Sequence, residues 1–462
     1  MLRLFGKTYP IRKFILFTWE GIFLYVTLFG LTSLITGQIP SLHNPLPFLR
    51  VIIVVVTCLL SLYYFDLYTF RPGMNFLEMT VRLLQALGSA SIFLGMLYWL
   101  FPVLLPGKWV YFVEILLFIA LSSVWRYSYL LIIKRQIGAR PTAIVAQGQF
   151  PREILEETRN FPDCGYKIQG IIVHPKEEQA FSDIKSPQVL TGFEDLLGKA
   201  RRLQVDEIIV AMDERRGNMP IDELIACKME GIEITEGESF IEATQGKILV
   251  DKINPSWLIF KEGFQKSKAT MFGKRVVGAV LSAIGLIASL PITLVTAVLI
   301  KLESEGSIFY KQIRVGKGGV PFEVIKFRSM TQDAEKNGVK WATQNDARVT
   351  RVGRIIRKTR IDEIPQMWNV LKGEMSFVGP RPERPEFVEE LKRQIRFYDQ
   401  RHTVQPGITG WAQINYPYGA SVEDAKKKLE YDLYYIKHMS IWLDLYIILK
   451  TVKTILFREG SR

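Results

Sequence analysis

The sequence is short of the side chains that build metal centres and covalent staples: among 462 residues there are three cysteines and four histidines. Cys58, Cys164 and Cys227 show neither paired nor metal-ligand spacing, so neither a disulfide framework nor a zinc site is readable. His43, His174, His402 and His438 are equally scattered, and each is assigned to packing or to the surface. Acidic residues are also in deficit, 46 against 59 Lys and Arg, for a net charge of +13. No RNA-binding or helix-turn-helix signature accompanies that charge, which removes nucleic acid as a partner. The charge is uneven. Residues 1–140 and 268–462 are basic and residues 141–267 acidic, the pattern of two flanks facing anionic lipid or phosphorylated ligands around a soluble middle.

What is abundant is apolar length. Nearly half the residues, 48%, are hydrophobic, and they gather in runs at 13–36, 50–68, 79–104 and 109–133, each about the 20 residues that cross a bilayer. Cations lie before the first run (Arg3, Lys7, Arg12, Lys13), between the second and third (Arg71, Arg82) and after the fourth (Lys134, Arg135, Arg140). The first and third loops hold almost none, which places both ends of a four-helix bundle in the cytoplasm. No small-residue cleavage site follows the first run, so a cleavable signal peptide is not expected.

From Pro141 short apolar strands alternate with amphipathic helices: strands at 142–146, 166–173, 206–211 and 232–234, helices near 151–160, 193–203 and 220–230. That alternation predicts a parallel sheet with covering helices, a small Rossmann-like domain. Where a dinucleotide fold carries G-x-G-x-x-G the chain reads Ala146-Gln147-Gly148-Gln149-Phe150-Pro151, with one glycine. A structural, dimerising or regulatory role, a homodimer included, is therefore favoured over a cofactor role.

A fifth apolar segment, 276–300, is long enough to cross. Lys274 and Arg275 precede it and Lys301 and Lys311 follow, so the charge rule puts both ends on one side. Pro291 near its middle removes a backbone donor, and Ser289 is placed to satisfy the freed groups. A helix that breaks at Ser289 and Pro291 and returns satisfies both facts.

The densest chemistry lies between Arg357 and Glu383. Asp362 and Glu363 are adjacent, with Arg357, Lys358 and Arg360 before them and the turn Gly379-Pro380-Arg381-Pro382 after. A carboxylate among arginines can attack phosphorus or hold a divalent metal, while Arg357, Arg360 and Arg381 neutralise phosphoryl oxygens. If Thr359 or Asp362 caps the helix through 366–371, both carboxylates share its positive end. The ordinary alternative is a pair of solvated first-turn residues in structural ion pairs. Upstream, 310–316 and 322–330 read as a hairpin whose alternation puts Lys326 and Arg328 on one face, facing either a ligand or solvent and lipid headgroups. Downstream, Trp411 in the loop 406–413 is open between packing and nucleobase contact. The last helix, 441–457, with Lys450 and Lys453, reads as interfacial.

Several motifs occur in one order over residues 268–462: Lys274-Arg275, Phe309-Tyr310-Lys311-Gln312-Ile313-Arg314-Val315-Gly316, Lys326-Phe327-Arg328-Ser329-Met330, Asp362-Glu363, Gly379-Pro380-Arg381-Pro382 and Pro406-Gly407-Ile408-Thr409-Gly410-Trp411. In these the chain resembles the bacterial sugar transferase family, the monotopic phosphoglycosyl transferases. Its layout is similar to their polyprenyl-phosphate hexose-1-phosphate transferase branch. The resemblance implies transfer of a hexose-1-phosphate, glucose or galactose, from a UDP-sugar to undecaprenyl phosphate, releasing UMP and opening exopolysaccharide or O-antigen assembly. It implies Asp362 as nucleophile of a covalent phosphosugar intermediate, and Glu363 as support for metal placement or for the acceptor proton. Mg2+ would bridge the diphosphate and both carboxylates. Arg357 and Arg381 would bind phosphate, with Lys326, Arg328, Arg360 and Pro382 as further substrate-side residues.

Two positions depart from the family pattern: Gly278 stands where Lys-Arg-x-x-Asp usually ends, and Ala347 where proline is usual. The expected fold is membrane α plus α/β. It comprises a four-helix transmembrane bundle over 1–140, a Rossmann-like domain over 141–265, and a catalytic domain over 266–462. A re-entrant helix, 276–300, and interfacial helices would anchor the catalytic domain, facing the cytoplasm, to a bacterial inner membrane. Two other classes compete. A transporter would carry polar or broken spans through its bundle, and a non-enzymatic scaffold or regulator would leave the carboxylate pair without a task.

Overall fold

The computed structural model describes residues 2–36, 46–70, 75–104, 109–184, 186–215, 217–253, 260, 262–331, 348–417, 419 and 421–457. His43, Arg71 and Ala347 lie outside the described residues. The chain divides into two compact units, one running to Phe240 and one from Ile241 onward that also takes in Phe5–Lys7.

The first unit begins with four helices, α1 (Ile11–Thr36), α2 (Leu46–Tyr64), α3 (Phe76–Leu100) and α4 (Val110–Lys134). Each is long and apolar enough to cross a membrane, as is a fifth helix in the second unit, and the chain is a membrane protein. Leu24, Leu28, Val54, Leu62, Leu83, Leu94 and Phe118 are buried where the four helices meet. Inside that apolar interior sits a charged knot that the sequence reading does not single out. Arg126 on α4 is fully buried and donates to Glu20 of α1 at 2.7 Å, and Glu20 also accepts from Tyr68 Oη at 2.7 Å. Such a pair persists in a low-dielectric interior only because its hydrogen bonds are completed. At the start of α1, Arg12 and Lys13 pair with buried Asp163 at 2.9 and 3.0 Å, tying this end of the bundle to the α/β domain.

That domain is a five-stranded, all-parallel sheet. Its strands are β1 (Arg140–Gln147), β2 (Tyr166–Val173), β3 (Gln188–Thr191), β4 (Glu207–Met212) and β5 (Glu233–Glu236), in the order β3-β2-β1-β4-β5. The central strands are buried on both faces, and so they read as continuous Val, Ile and Ala runs rather than as alternation. The edge strand β3 is not among the strands read from the sequence. After β1 and before helix α5 (Phe150–Asn160), Gly148 N donates to Glu177 Oε2 and Gln149 N to Asp213 Oδ2, both at 2.7 Å. The two amides that would face a pyrophosphate are thus taken by carboxylates of the domain itself.

The second unit is built on a broken apolar helix. Helix α6 (Lys268–Ala288) ends at Ser289 and α7 (Leu290–Glu303) follows at once. Ser289 Oγ donates to Leu286 O at 3.3 Å, and Pro291, lacking an N–H, lies in the first turn of α7. Both outer ends return to the same body. Arg275 of α6 donates to Val370 O and Leu371 O, and Lys274 pairs with Asp444 and Tyr435. At the far end of α7, the Glu303 carboxylate accepts from Arg351 N at 2.7 Å and Val352 N at 3.1 Å. An unbroken helix from Lys268 to Glu303 would hold those ends on the order of 50 Å apart. Around the break, Ile284, Ile287, Leu290, Ile292 and Val295 are exposed.

A hairpin, β6 (Phe309–Val315) with β7 (Pro321–Phe327), follows, then helices α8 (Arg351–Lys358) and α9 (Gln366–Lys372). The outer edge of β7 has no third strand among the described residues; the fully buried Asn369 of α9 replaces one. Its side-chain amide donates to Glu323 O at 2.6 Å and accepts from Ile325 N at 3.1 Å. Beyond α9, β8 (Ser376–Val378) pairs in parallel with β9 (Gly407–Thr409). There a Cβ on Gly379 would lie 2.4 Å from Gln405 O, and one on Gly407 would lie 2.1 Å from Gly379 N, so backbone approach itself requires both glycines. The closing helix α10 (Ile441–Phe457) buries Leu443 and Ile447.

Candidate active site

Helix α8 ends at Thr359, which caps its C-terminus rather than opening α9 as the sequence suggests. Arg360 then adopts the left-handed conformation, φ 59°, costly for a residue with a Cβ, and reverses the chain into a 3-10 turn, Ile361–Glu363. The turn runs into α9, whose N-cap position is Pro365 with no side-chain bond. Asp362 and Glu363 therefore occupy a tight turn between two helices, and they are 9% and 8% exposed.

Their surroundings differ. Glu363 Oε1 accepts from Arg381 Nη2 at 2.5 Å, with Lys326 Nζ and Arg360 Nη1 each at 3.7 Å. Burial alone would raise the pKa of Glu363, but the charges of Arg381, Lys326 and Arg360 overcome it and hold the group well below the usual carboxylate range. Asp362 moves the other way, to about 6, through burial first and the adjacent Glu363 charge second. Its Oδ1 is buried with no hydrogen-bond partner among the described residues. Lys326 falls to about 8, because burial and the nearby Arg381 and Arg314 outweigh its attraction to Glu363. Two neighbouring carboxylates pushed apart in this way divide the work: one is saturated by cations, the other keeps an open oxygen.

The cationic turn is held through its backbone by residues that sequence reasoning passed over. Arg314 donates to Pro382 O and buried Arg401 to Arg381 O, both at 3.0 Å, while Val315 N donates to Glu383 O at 2.9 Å. Arg401 is in turn fixed by Asp432 at 2.9 Å and Tyr398 Oη at 2.5 Å. Only a three-dimensional contact links these residues, separated as they are along the chain; a buried arginine beside aromatic and acidic residues gives no local signal. Pro382 contributes its carbonyl as a fastening point.

The structure does not bring every expected residue together. Arg328 lies one residue past the end of β7, where alternation no longer applies, and it turns its guanidinium to Ser304 O and Glu305 O at the end of α7. It is a tie between the hairpin and α7, outside the carboxylate cluster. Arg357 lies in the last turn of α8, partly exposed and without a side-chain bond to either carboxylate. Trp411 is packed: it is buried, donates to Gly246 O at 2.7 Å and stacks on Tyr434. On α10 the lysines point inward, Lys450 to Asn415 and Lys453 into the interior, while Trp442, Leu449, Val452 and Ile455 form the exposed side. Gly278 packs against Phe377 and Val370 with room for a Cβ, and the carboxylate beside Lys274 comes from Asp444. A cavity lined by Lys274, Arg275, Gly278 and Ser376 includes neither Asp362 nor Glu363.

A membrane protein with a cation-walled carboxylate pair on a tight turn beside a broken apolar helix is the class that these features define. The profile described as bacterial sugar transferase matches residues 269–458. The chain is 37% identical over 326 residues to a UDP-glucose:undecaprenyl-phosphate glucose-1-phosphate transferase of Klebsiella pneumoniae, covering 69% of this chain and 68% of that protein. It is 33% identical to a protein of the same description from Escherichia coli (strain K12), covering 67% and 65%. To a UDP-N-acetylgalactosamine-undecaprenyl-phosphate N-acetylgalactosaminephosphotransferase of Aeromonas hydrophila it is 44% identical over 239 residues, 52% of this chain and 56% of that one. The match thus spans little more than half the length of the Aeromonas relative. The chain belongs to the bacterial sugar transferase family.

Proposed function

We propose that this protein transfers a sugar-1-phosphate from a UDP-sugar to undecaprenyl phosphate, releasing UMP, as an opening step of exopolysaccharide or O-antigen assembly. The observation that carries the reading is the asymmetric pair. Asp362 keeps a buried, unpaired oxygen while Glu363 gathers Arg381, Lys326 and Arg360. Asp362 Oδ1 attacks the sugar-linked phosphorus; the new P–O bond forms as the bond to UMP breaks, and the electron pair leaves on UMP. An oxygen of the lipid phosphate then attacks the same phosphorus and returns Asp362 as a carboxylate. Arg381, Arg360 and Lys326 surround charge already present on Glu363 and stabilise what develops on the phosphoryl oxygens.

No cluster of three metal-ligating side chains exists among the described residues. A magnesium ion fits all the same, because it keeps several waters and takes one or two carboxylates plus substrate phosphates. Asp362 and Glu363 are the carboxylates that would hold it. Bound there, it would supply neutralisation of the diphosphate charge.

The broken helix α6–α7 dips into the bilayer and returns, with α8 and α10 lying at the surface through Ile355 and the exposed side of α10. Both units then have their soluble parts on the cytoplasmic side of a bacterial inner membrane, where the nucleotide sugar is. Cysteine reporters at Lys266 and Lys317, in a cysteine-free background, should label only from that side; labelling of position 317 only from outside would overturn the re-entrant placement. Relatives of different description take different sugars, and the hexose or N-acetylhexosamine is a question for a donor panel. The deciding assay incubates membranes with labelled UDP-sugar and polyprenyl phosphate. Organic-extractable label with stoichiometric UMP supports transfer; neither product with any donor leaves a scaffold.

A further inference from the structure

We propose that Gln366 is a further substrate contact, its side-chain amide donating through Nε2 to a non-bridging oxygen of the phosphoryl group that Asp362 receives. The inference rests on the transfer reading above. From Ile361 to Lys372 the backbone stays right-handed: the 3-10 turn passes through Ile364 (φ −51°, ψ −42°) and Pro365 (φ −62°, ψ −18°) directly into α9. Asp362 and Gln366, four residues apart on such a path, share one face. Asn369, three residues further, shows where that face points, because its side chain is bonded to the β7 edge at Glu323 O and Ile325 N. Lys326 of the same strand comes within 3.7 Å of Glu363. Gln366 therefore lies between the Asn369 anchor and the reactive carboxylate.

The two side-chain amides on this face are used differently. Asn369 spends its amide on β7 and on Glu374 Oε2 at 2.7 Å. Gln366 is 2% exposed, yet its Nε2 has no hydrogen-bond partner among the described residues. One turn earlier Asp362 Oδ1 is in the same condition. A buried donor and a buried acceptor, unsatisfied on one face, are destabilising until a partner meets them. A tetrahedral phosphoryl group has the matching chemistry: phosphorus for the carboxylate oxygen, an anionic oxygen for the N–H. A neutral amide suits this place better than an arginine, which would pair with the carboxylates and quench the nucleophile.

The test uses the full chain with Gln366→Met, which keeps length and removes the donor, and Gln366→Glu, which keeps shape and replaces the donor with an acceptor. The unfolding midpoint is measured without donor sugar, and kcat and KM with the UDP-sugar that the unaltered protein turns over. For Gln366→Met the midpoint should stay or rise, since an unmet donor is removed. Its kcat should fall on the order of 100-fold with KM little changed, the loss typical of one transition-state donor. Gln366→Glu should be at least as impaired. Unchanged kcat in both variants, or activity lost only in step with a lowered midpoint, would overturn the proposal in favour of packing. An unaltered protein that transfers no sugar phosphate from any donor would instead remove the transfer reading, and this inference with it.

Discussion

Two turns in this molecule use anion-holding geometry to opposite ends. After β1, Gly148 (φ +81°) and Gln149 present backbone amides in front of a helix, where a nucleotide fold would place its pyrophosphate, and Glu177 and Asp213 fill them. A Cβ at Gly148 would sit 2.1 Å from Asp213 Oδ2, so the close fit of that carboxylate also demands glycine. After α8, the 3-10 turn presents carboxylates instead, and only Glu363 is filled by its own chain. Asp362 Oδ1 is left open. A helix start and a tight turn do not by themselves make a site; what separates the two turns is that carboxylates of the same domain occupy the amides of the first, while in the second a carboxylate oxygen stands unmet among cations.

The most damaging way to break this contrast is to close the open oxygen. Asp362→Asn should lower transfer on the order of a thousandfold or more while leaving the unfolding midpoint near that of the unaltered protein, measured by UMP release after excluding deamidation. Glu363→Gln should also be severely impaired, because Arg381, Lys326 and Arg360 lose the charge that gathers them. Next in size, Arg381→Lys keeps the charge but loses the planar fork, and activity should drop about 100-fold; unchanged activity and donor affinity would make Arg381 a structural counter-ion of Glu363.

At the filled turn the expectation reverses. Glu177→Gln combined with Asp213→Asn should cost the first unit about 1–3 kcal/mol, seen by chemical denaturation, with transfer unaltered. A loss of transfer without a loss of stability would give the α/β turn a part in function. The smallest effect is a pH slope. Burial, then the Arg401 charge, holds His402 at about 4 in the folded chain, while the unfolded chain takes up its proton near the usual value of about 6.5. Between those values the unfolded state binds more protons, so stability falls as pH drops from about 6.5 to about 4 and levels off below. His402→Gln should flatten the midpoint-against-pH curve over that window, and an unchanged slope would assign it to other groups.

Much of this is legible in the residues. The apolar runs, the strand–helix alternation after Pro141 and the Ser289–Pro291 break all announce themselves, because each is a local pattern of period, length or missing donor. So does the Asp362–Glu363 pair with its cations, because Asp362, Glu363 and Arg360 are neighbours in sequence. What does not show is what depends on distance. Arg314 and Arg401 grip the Arg381 turn from remote segments, Asn369 replaces a strand, and Arg126 finds Glu20 across the bundle. Alternation misleads at Arg328 because the strand stops at Phe327, and inward-facing Lys450 and Lys453 reverse the face expected of the last helix.

The central claim is that Asp362 itself receives the sugar phosphate, and mass spectrometry of the purified full chain tests it most directly. The protein is mixed with its UDP-sugar in the absence of lipid acceptor, quenched and digested. The account predicts the mass of one sugar phosphate on the peptide carrying Asp362, absent from Asp362→Asn and discharged when polyprenyl phosphate is added. An adduct on another residue, or none while UMP appears and the lipid product forms at the normal rate, would contradict it.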